Sequence, residues 1–458
     1  MPMPEMRCDV VVVGGGVTGV AAGIAAARAG AKTLVLEPRP FVGGNATTGL
    51  CLHSFLTRDR RQAVFGLAQE IVDRLVAVGA AVGHVPYDGF VSAVTPVDGD
   101  WFRIVAAQML TEAGAQVIYG ASVVEVEREG KGDAITGLVC SMKGGLRILR
   151  AASYVDTSGD ADIAAFAGCP TRKGEITTGK MQPVSMLMHF HRVDTSRIAA
   201  TLGEVSPAMA RRPDHPDPIP VYFNGTFSAW NDIIMSEGIF PNRDHKVFFN
   251  TVWPDRVNVN TSAVFGVDGT DPLAMARAMH DLTQQCVRAG QFLQRHVPGF
   301  ERGYFVPQVV AGVRESRNIL GRYEITREDV LEGRNFDDTV GQICFPVDIH
   351  DPDTGQAYFV DVGGDGAFDV PYRSMLPQGV DNLLVAGRCI SATHFAHGAT
   401  RNMAPCLVTG QAAGTAAAMA ARRNAPLAEL HVPDLQAQLL ADGTYLGRNF
   451  EKANAAAE

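Results

Sequence analysis

The chain has no CxxC pair, no excess of basic charge, and no apolar run that needs a membrane to explain it. Each absence removes a class of function. Its eight cysteines, at positions 8, 51, 140, 169, 286, 344, 389 and 406, stand apart from one another and from histidine at ligand spacing. A disulfide scaffold and a zinc site are therefore not expected, and no metal is assigned. The thiols read as reduced and buried, which implies a reducing, cytoplasmic compartment. Forty Lys and Arg against 49 Asp and Glu leave a formal net charge of −9, so a nucleic-acid surface is not the main purpose. There is no internal repeat and no low-complexity linker. At 458 residues, 46% hydrophobic and 19% charged, the chain reads as a soluble globular protein of two or three co-packed domains.

Glycine, by contrast, is abundant, with 48 residues, many in short runs beside apolar strands. That pattern suggests close approach of backbone to a ligand. The stretch CDVVVVGGGVTGVAAGIAAARAGAKTLVLEPR, Cys8 to Arg39, poses the question most sharply. Alone, it fits a signal peptide, a membrane span or a phosphate-binding turn. A signal peptide needs a basic start, but MPMPEMRCD sets Glu5 and Asp9 against Arg7. Gly14, Gly15, Gly16, Gly19 and Gly23 interrupt the run too often for a lipid-facing helix. Strand, turn, helix and strand fit instead. Val10 to Val13 is a parallel strand without polar alternation. A helix of small residues follows and ends at Gly30, and Lys32 to Glu37 is the next strand. Gly14 permits the tight turn, Gly16 lets backbone reach a pyrophosphate, and Gly19 lets helix and strand pack closely. The helix N-terminus offers unpaired N–H groups to phosphate, and Glu37 stands where it can accept from ribose hydroxyls. This is a dinucleotide site.

Three later segments extend it. PRPFVGGNATTG follows Glu37; Ala152 to Gly168 carries Thr157-Ser158-Gly159-Asp160; Val380 to Arg423 carries a strand, Gly387-Arg388, a polar loop and a long small-residue helix. A site gathered from such distant segments suits an extended cofactor such as FAD. The set resembles the FAD-dependent oxidoreductases of the glutathione-reductase-like fold, nearest the fumarate-reductase-type branch. GVRESRNILGRYEITREDVLEGRNFDD, PVDIHDPDTG and AGRCISATHFAHGATRNMAP are similar to a bacterial group named only "FAD-dependent oxidoreductase", and the resemblance runs from about residue 8 to 445. It implies an α/β fold: a Rossmann-type FAD-binding domain assembled from N-terminal, central and C-terminal segments (1–169 and 371–445), with an inserted α+β substrate or cap domain (170–370) and a flexible tail (446–458).

The same resemblance implies non-covalent FAD. Gly14, Gly16, Val17, Thr18 and Gly19 would meet the pyrophosphate, and Glu37 with Pro38 the adenosine ribose. Arg39, Gly43, Gly44, Asn45, Ala46 and Thr47 would run along the adenosine edge toward the ring. Val123 and Val124 would flank the adenine; Ser158, Gly159 and Asp162 would sit beside the dinucleotide, and Gly387 and Arg388 near the ribityl and pyrophosphate. The last helix would begin at about Pro405, with Asn402 and Met403 ahead of it and its N-terminus toward the flavin pyrimidine edge. The chain departs from its relatives in TSG for ATG and in Asn402 of RNMAP.

No cysteine-rich loop follows Gly43-Gly44, so a disulfide relay is not expected. No second GxGxxG marks a nicotinamide domain, which disfavours a two-dinucleotide enzyme and weighs against a monooxygenase. Electrons would pass to or from an external partner: oxygen, a quinone or a protein. In this family a base takes the O–H or N–H proton while hydride leaves the substrate carbon, which favours histidine. His397 and His394, in the loop before the last helix, are the candidates, His397 slightly ahead, with Arg401 as substrate anchor. Arg314 and Arg317, flanking Glu315, either reach substrate or form an ion-pair network; Asn402 shapes the pocket beside them. His189 and His191 fit satisfied histidines at a domain boundary better than ligands. Covalent attachment through His53, Cys389 or Cys406 is disfavoured. The expected activity is oxidation of a small polar substrate, an alcohol, sugar-like polyol or amine. Two alternatives stand beside it. One is fumarate-type reduction of an activated C=C bond, with arginines as cations and proton donor; the other is a non-catalytic binding protein, disfavoured by the intact glycines and Glu37. A small-molecule partner is expected, with no nucleic acid and no membrane span; the oligomeric state is open.

Overall fold

Five short strands without polar alternation stack into one parallel sheet: β1 (Val10–Val13), β2 (Thr33–Glu37), β3 (Gln116–Tyr119), β4 (Ser153–Asp156) and β5 (Leu383–Val385). In this computed structural model, which describes residues 3–128, 134–202 and 206–447, they lie in the order β5-β4-β1-β2-β3. The VVVV run is explained by burial on both faces. Val10 and Val12 belong to one core, together with the helices; Val11 and Val13 belong to another, closed by an antiparallel sheet that includes Ser122–Arg128 and Ile135–Met142.

Helix α1 (Val17–Arg28) leaves β1, and the long helix α3 (Met403–Arg423) lies against it; a short helix α2 (His394–Thr400) precedes α3. Small residues let α1 and α3 touch through backbone. A Cβ on Gly410 would lie 2.4 Å from Thr18 O, and one on Gly414 2.1 Å from Ala22 O. Among the described residues no helix is long and apolar enough to cross a membrane.

A second core draws on residues 184 to 300. Its six-stranded antiparallel sheet runs in the order Ala208–Ala210, Ile219–Gly225, Val247–Asn250, Arg256–Asn260, Ser185–His191, Tyr304–Gly312. The helix Pro272–His296 covers it, capped by Asp271, whose side chain accepts from Leu273 N and Ala274 N. Its stripe of Ala278, Leu282, Cys286, Ala289 and Leu293 faces the sheet, as helical spacing requires. Residues from Ile325 to Leu376 pack instead into the first core. Of the tail expected at 446–458, the stretch from residue 448 onward lies outside the described residues.

Candidate active site

The first glycine turn is built as its residue types dictate. Gly14 holds φ +101°, and a Cβ there would lie 2.6 Å from Thr157 O; a Cβ on Gly19 would lie 1.7 Å from Gly14 O. A Cβ on Gly16 would meet nothing within 4 Å, because Gly16 borders open space. That space is a cavity of about 430 Å³. α1 begins at its wall with no side-chain cap on its N-terminus, so its first N–H groups are free for phosphate oxygens.

Glu37 lines the same cavity and is 4% exposed. Gly15 N donates to its Oε2 and Arg39 N to its Oε1, each at 2.8 Å. Those bonds fix the carboxylate and leave each oxygen a further lone pair for ribose hydroxyls. Burial raises its pKa against those two backbone donors.

The expected cofactor residues divide into a wall and a support. Gly14, Gly16, Val17, Thr18, Glu37, Pro38 and Arg39 line the cavity at one side, and Gly44 and Asn45 follow. Val123, Ser158, Gly159, Asp162, Arg388 and Met403 line it elsewhere. Gly19, Gly43, Ala46, Thr47 and Gly387 stand behind. Gly43 N donates to Gly15 O, Thr47 Oγ1 to Gly44 O, and a Cβ on Gly387 would strike Thr18 Oγ1 at 2.3 Å. Val124, beside Val123, is 50% exposed, the extra residue where the pairing with the next strand shifts register between Val123 and Glu125.

The start of α3 differs from the expectation at Pro405. The helix begins at Met403 with Asn402 as its cap, Asn402 Oδ1 accepting from Met403 N at 2.7 Å. Pro405 fits inside the first turn because the N–H groups there have no helical acceptor in any case. Met403 and Cys406 put the N-terminal turn of α3 on the cavity wall, opposite in sequence to that of α1. Two helix N-termini, a turn opened by glycine and an anchored acid at a strand end are the parts that an FAD dinucleotide requires, and the residues fit it.

Arg388 is tied to the segment Ala152 to Gly168 and to Ser316: its Nη2 donates to Asp160 Oδ1 and its Nη1 to Ser316 Oγ, each at 2.7 Å. Arg317 joins the same network rather than the other arginines. Its Nε donates to Asp160 O at 2.7 Å, and its Nη2 pairs with Asp162. A guanidinium so engaged supports the cofactor wall. Asp162 is pushed up to about 6 by burial and then by the charges of Asp156 and Asp160.

The two candidate histidines lie in α2, not in a loop. His394 Nδ1 is 2.7 Å from Glu315 Oε1, and Glu315 is 1% exposed. Burial opposes the Glu315 charge, but its bond to His394 prevails and holds its pKa below the usual value. His397 is 1% exposed with neither ring nitrogen partnered, and burial takes it down to about 3. Arg401 lines the cavity and is held by Asp348, its Nη2 donating to Asp348 O at 2.7 Å and to Oδ2 at 2.9 Å. Burial works against the Asp348 charge, yet His350, Arg401 and Arg314 together keep it well below the carboxylate range. Arg314 Nη1 donates to Pro183 O at 2.7 Å. Burial, and then Arg401, lower Arg314 to about 10.

Sequence reading missed Asp348, His350 and Gln182. The first two stand in PVDIHDPDTG, a motif of the resemblance, and nothing local marks Gln182. His189 Nε2 lies 2.7 Å from Thr48 O, joining the cap strand to the cofactor side, and His191 stacks on Tyr304. His53 is enclosed by Phe90, Tyr222 and Phe345. Cys406 reaches the cavity wall, but burial pushes its thiol up to about 11, away from the thiolate a covalent link needs.

Over residues 9–439 the chain matches the family described as FAD dependent oxidoreductase, and it belongs to that family. It is an FAD-dependent enzyme. A thiamine thiazole synthase from Metallosphaera sedula is 27% identical over 211 residues, 44% of this chain and 70% of the relative. A geranylgeranyl bacteriochlorophyll reductase-like protein from Thermoplasma acidophilum is 13% identical, covering 96% of this chain and 85% of its own, with a TM-score of 0.48. The p-nitrophenol 4-monooxygenase of Pseudomonas putida is 12% identical, covering 97% and 88%, with a TM-score of 0.48.

Proposed function

We propose that the enzyme oxidises a small polar substrate, an alcohol, sugar-like polyol or amine, at non-covalently held FAD. The observation that carries this reading is the Glu315–His394 pair: a buried carboxylate engages Nδ1 and leaves Nε2 to take a proton. FAD, held by the starts of α1 and α3 and by Glu37, would supply the acceptor for a hydride from the substrate carbon. His394 removes the proton from the attached O–H or N–H. Glu315 holds the ring tautomer and stabilises the charge that His394 gains, so weight moves from His397 to His394. Arg401, positioned by Asp348 at the cavity wall, anchors the substrate. Oxygen, a quinone or a partner protein completes the electron path. The eight unpaired cysteines support a reducing, cytoplasmic setting.

A second reading is fumarate-type reduction of an activated C=C bond. It draws support from Arg314 and Arg401 acting on one another within one cluster, where one guanidinium holds a carboxylate and the other gives a proton.

Visible spectra before and after acid precipitation test the cofactor: flavin bands are expected in the supernatant. Anaerobic screening follows, with bleaching by alcohols or amines supporting oxidation. If enoates alone respond, by reoxidising dithionite-reduced protein, the second reading replaces the first. His394→Asn is expected to slow anaerobic bleaching by roughly 10²–10⁴ with FAD content intact. An unchanged rate removes His394 as base.

A further inference from the structure

Gln182 is 1% exposed and sits where the proton-transfer pair does not need it. Its orientation is set by its neighbours. His350 N donates to Gln182 Oε1 at 3.0 Å, so the amide NH₂ faces the other way, and there it has no acceptor. Gln182 N donates to Glu315 Oε2 at 3.1 Å, and the next carbonyl, Pro183 O, accepts from Arg314. His350 Nε2 lies 3.3 Å from Asp348 Oδ1, and Asp348 Oδ2 holds Arg401. These contacts gather Gln182, Arg314 and Arg401 into one cluster.

Its chemistry is one-sided. Asp348 is paired with Arg401, Arg314 has no ion pair among the described residues, and the Glu315 carboxylate is directed at His394 and Gln182 N. One acceptor, Asp348 Oδ1, has only His350 near it; on Gln182, Arg314 and Arg401 themselves the remaining hydrogen-bonding capacity is all donors. Gln182 Nε2 and Arg401 Nε are buried without partners, and the Arg314 fork makes one bond, through Nη1. A buried donor set that carries positive charge is matched by an acceptor-only anion, and the planar fork of arginine suits the two oxygens of a carboxylate. Arg401, alone of the three, lines the cofactor cavity, which would set this end of the cluster beside a flavin nucleotide held there.

We infer that Gln182, Arg314 and Arg401 bind a carboxylate of the substrate, so that the substrate is a carboxylic acid and Gln182 is a specificity-determining residue. The inference rests on the reading of this cluster as the substrate end of the site, in either direction of the reaction.

FAD-loaded protein is titrated with acetate, glycolate and succinate, with acetamide as the neutral counterpart, following the flavin difference spectrum and the heat of binding. Saturable binding of the acids and none of acetamide is expected. Gln182→Leu should weaken acid binding by roughly tenfold or more, and Arg314→Lys should leave it measurable but weaker. Gln182→Glu, nearly the same shape but negative, should abolish it; FAD content and thermal unfolding check that each variant is folded. Equal binding of acetamide and acetate overturns the inference, as does unchanged acid affinity in Gln182→Leu and Arg314→Lys. Bleaching by neutral alcohols in a protein that binds no acid overturns it while leaving the oxidation reading in place. Acid binding without redox response to any alcohol, amine or enoate sustains the carboxylate subsite and removes the reading on which it was built.

Discussion

Single positions in the glycine turn carry different duties, and substitution separates them. Gly16 borders the cavity with room for a Cβ and an ordinary φ of −65°, so Gly16→Ala places a methyl in the space proposed for the pyrophosphate without straining the chain. Gly19 has Gly14 O within 1.7 Å of that added atom, so Gly19→Ala must push helix from strand. We expect Gly16→Ala to keep the unfolding midpoint of the cofactor-free protein but lose FAD affinity; Gly19→Ala should lower both, the stability by about 1–3 kcal/mol. Urea unfolding of the stripped protein and FAD titration check this, and equal destabilisation by the two variants would refute it. The tight turn at Gly14 and Gly19 and the place of Glu37 at a strand end are legible in the sequence because they follow from local geometry. Gln182 and Asp348 are not: their meaning comes from His350, Arg314 and Arg401, which lie far from one another in the chain and meet only in the fold.

Elements show the same division. The strand β1 and the 25-residue helix Pro272–His296 could be read from periodicity and caps. Pro405 suggests a start of α3 two residues later than the actual one, where the side-chain oxygen of Asn402 is the cap. What periodicity does not reveal is that α3 is buried from Met403 to Ala420, its glycines matching α1 rather than any ligand. Gly414→Leu should therefore separate the two helices whose N-termini share the cofactor cavity. The expected result is a loss of stability of a few kcal/mol together with weaker FAD binding, although residue 414 is not on the cavity wall. Denaturant titration with and without FAD tests it; stability loss with unchanged FAD affinity would show that the two helix starts are positioned independently.

For the molecule as a whole, burial of histidine sets the acid limit. Burial holds His53 and His84 near about 4 and His397 near about 3, against about 6.5 in an unfolded chain. These groups are neutral in the folded protein, so their contribution is complete above pH about 6.5. Below it the unfolded chain takes up protons that the folded one refuses, and stability falls until the folded values are reached. Asp369 acts oppositely. Burial raises it to about 6, so between pH about 6 and 4 the folded state binds a proton that the unfolded state does not. Asp162 acts in the same sense, but its side chain is 39% exposed, and solvent screening reduces its share. Taken alone, these three histidines less Asp369 leave about two protons near pH 5, or roughly 3 kcal/mol per pH unit before the Asp162 offset. His189 and His350, lowered by burial, act in the histidines' sense, and Glu37 and Asp156, raised by burial, in that of Asp369. Urea midpoints of the FAD-loaded protein should thus fall steadily from pH 6.5 to 4.5. His53→Phe, which keeps the ring among Phe90, Tyr222 and Phe345, should make that fall shallower by about one proton, and Asp369→Asn should make it steeper. Parallel pH profiles in all three proteins would mean that the acid limit is set elsewhere, by the paired carboxylates of the surface rather than by uncharged histidines in the core.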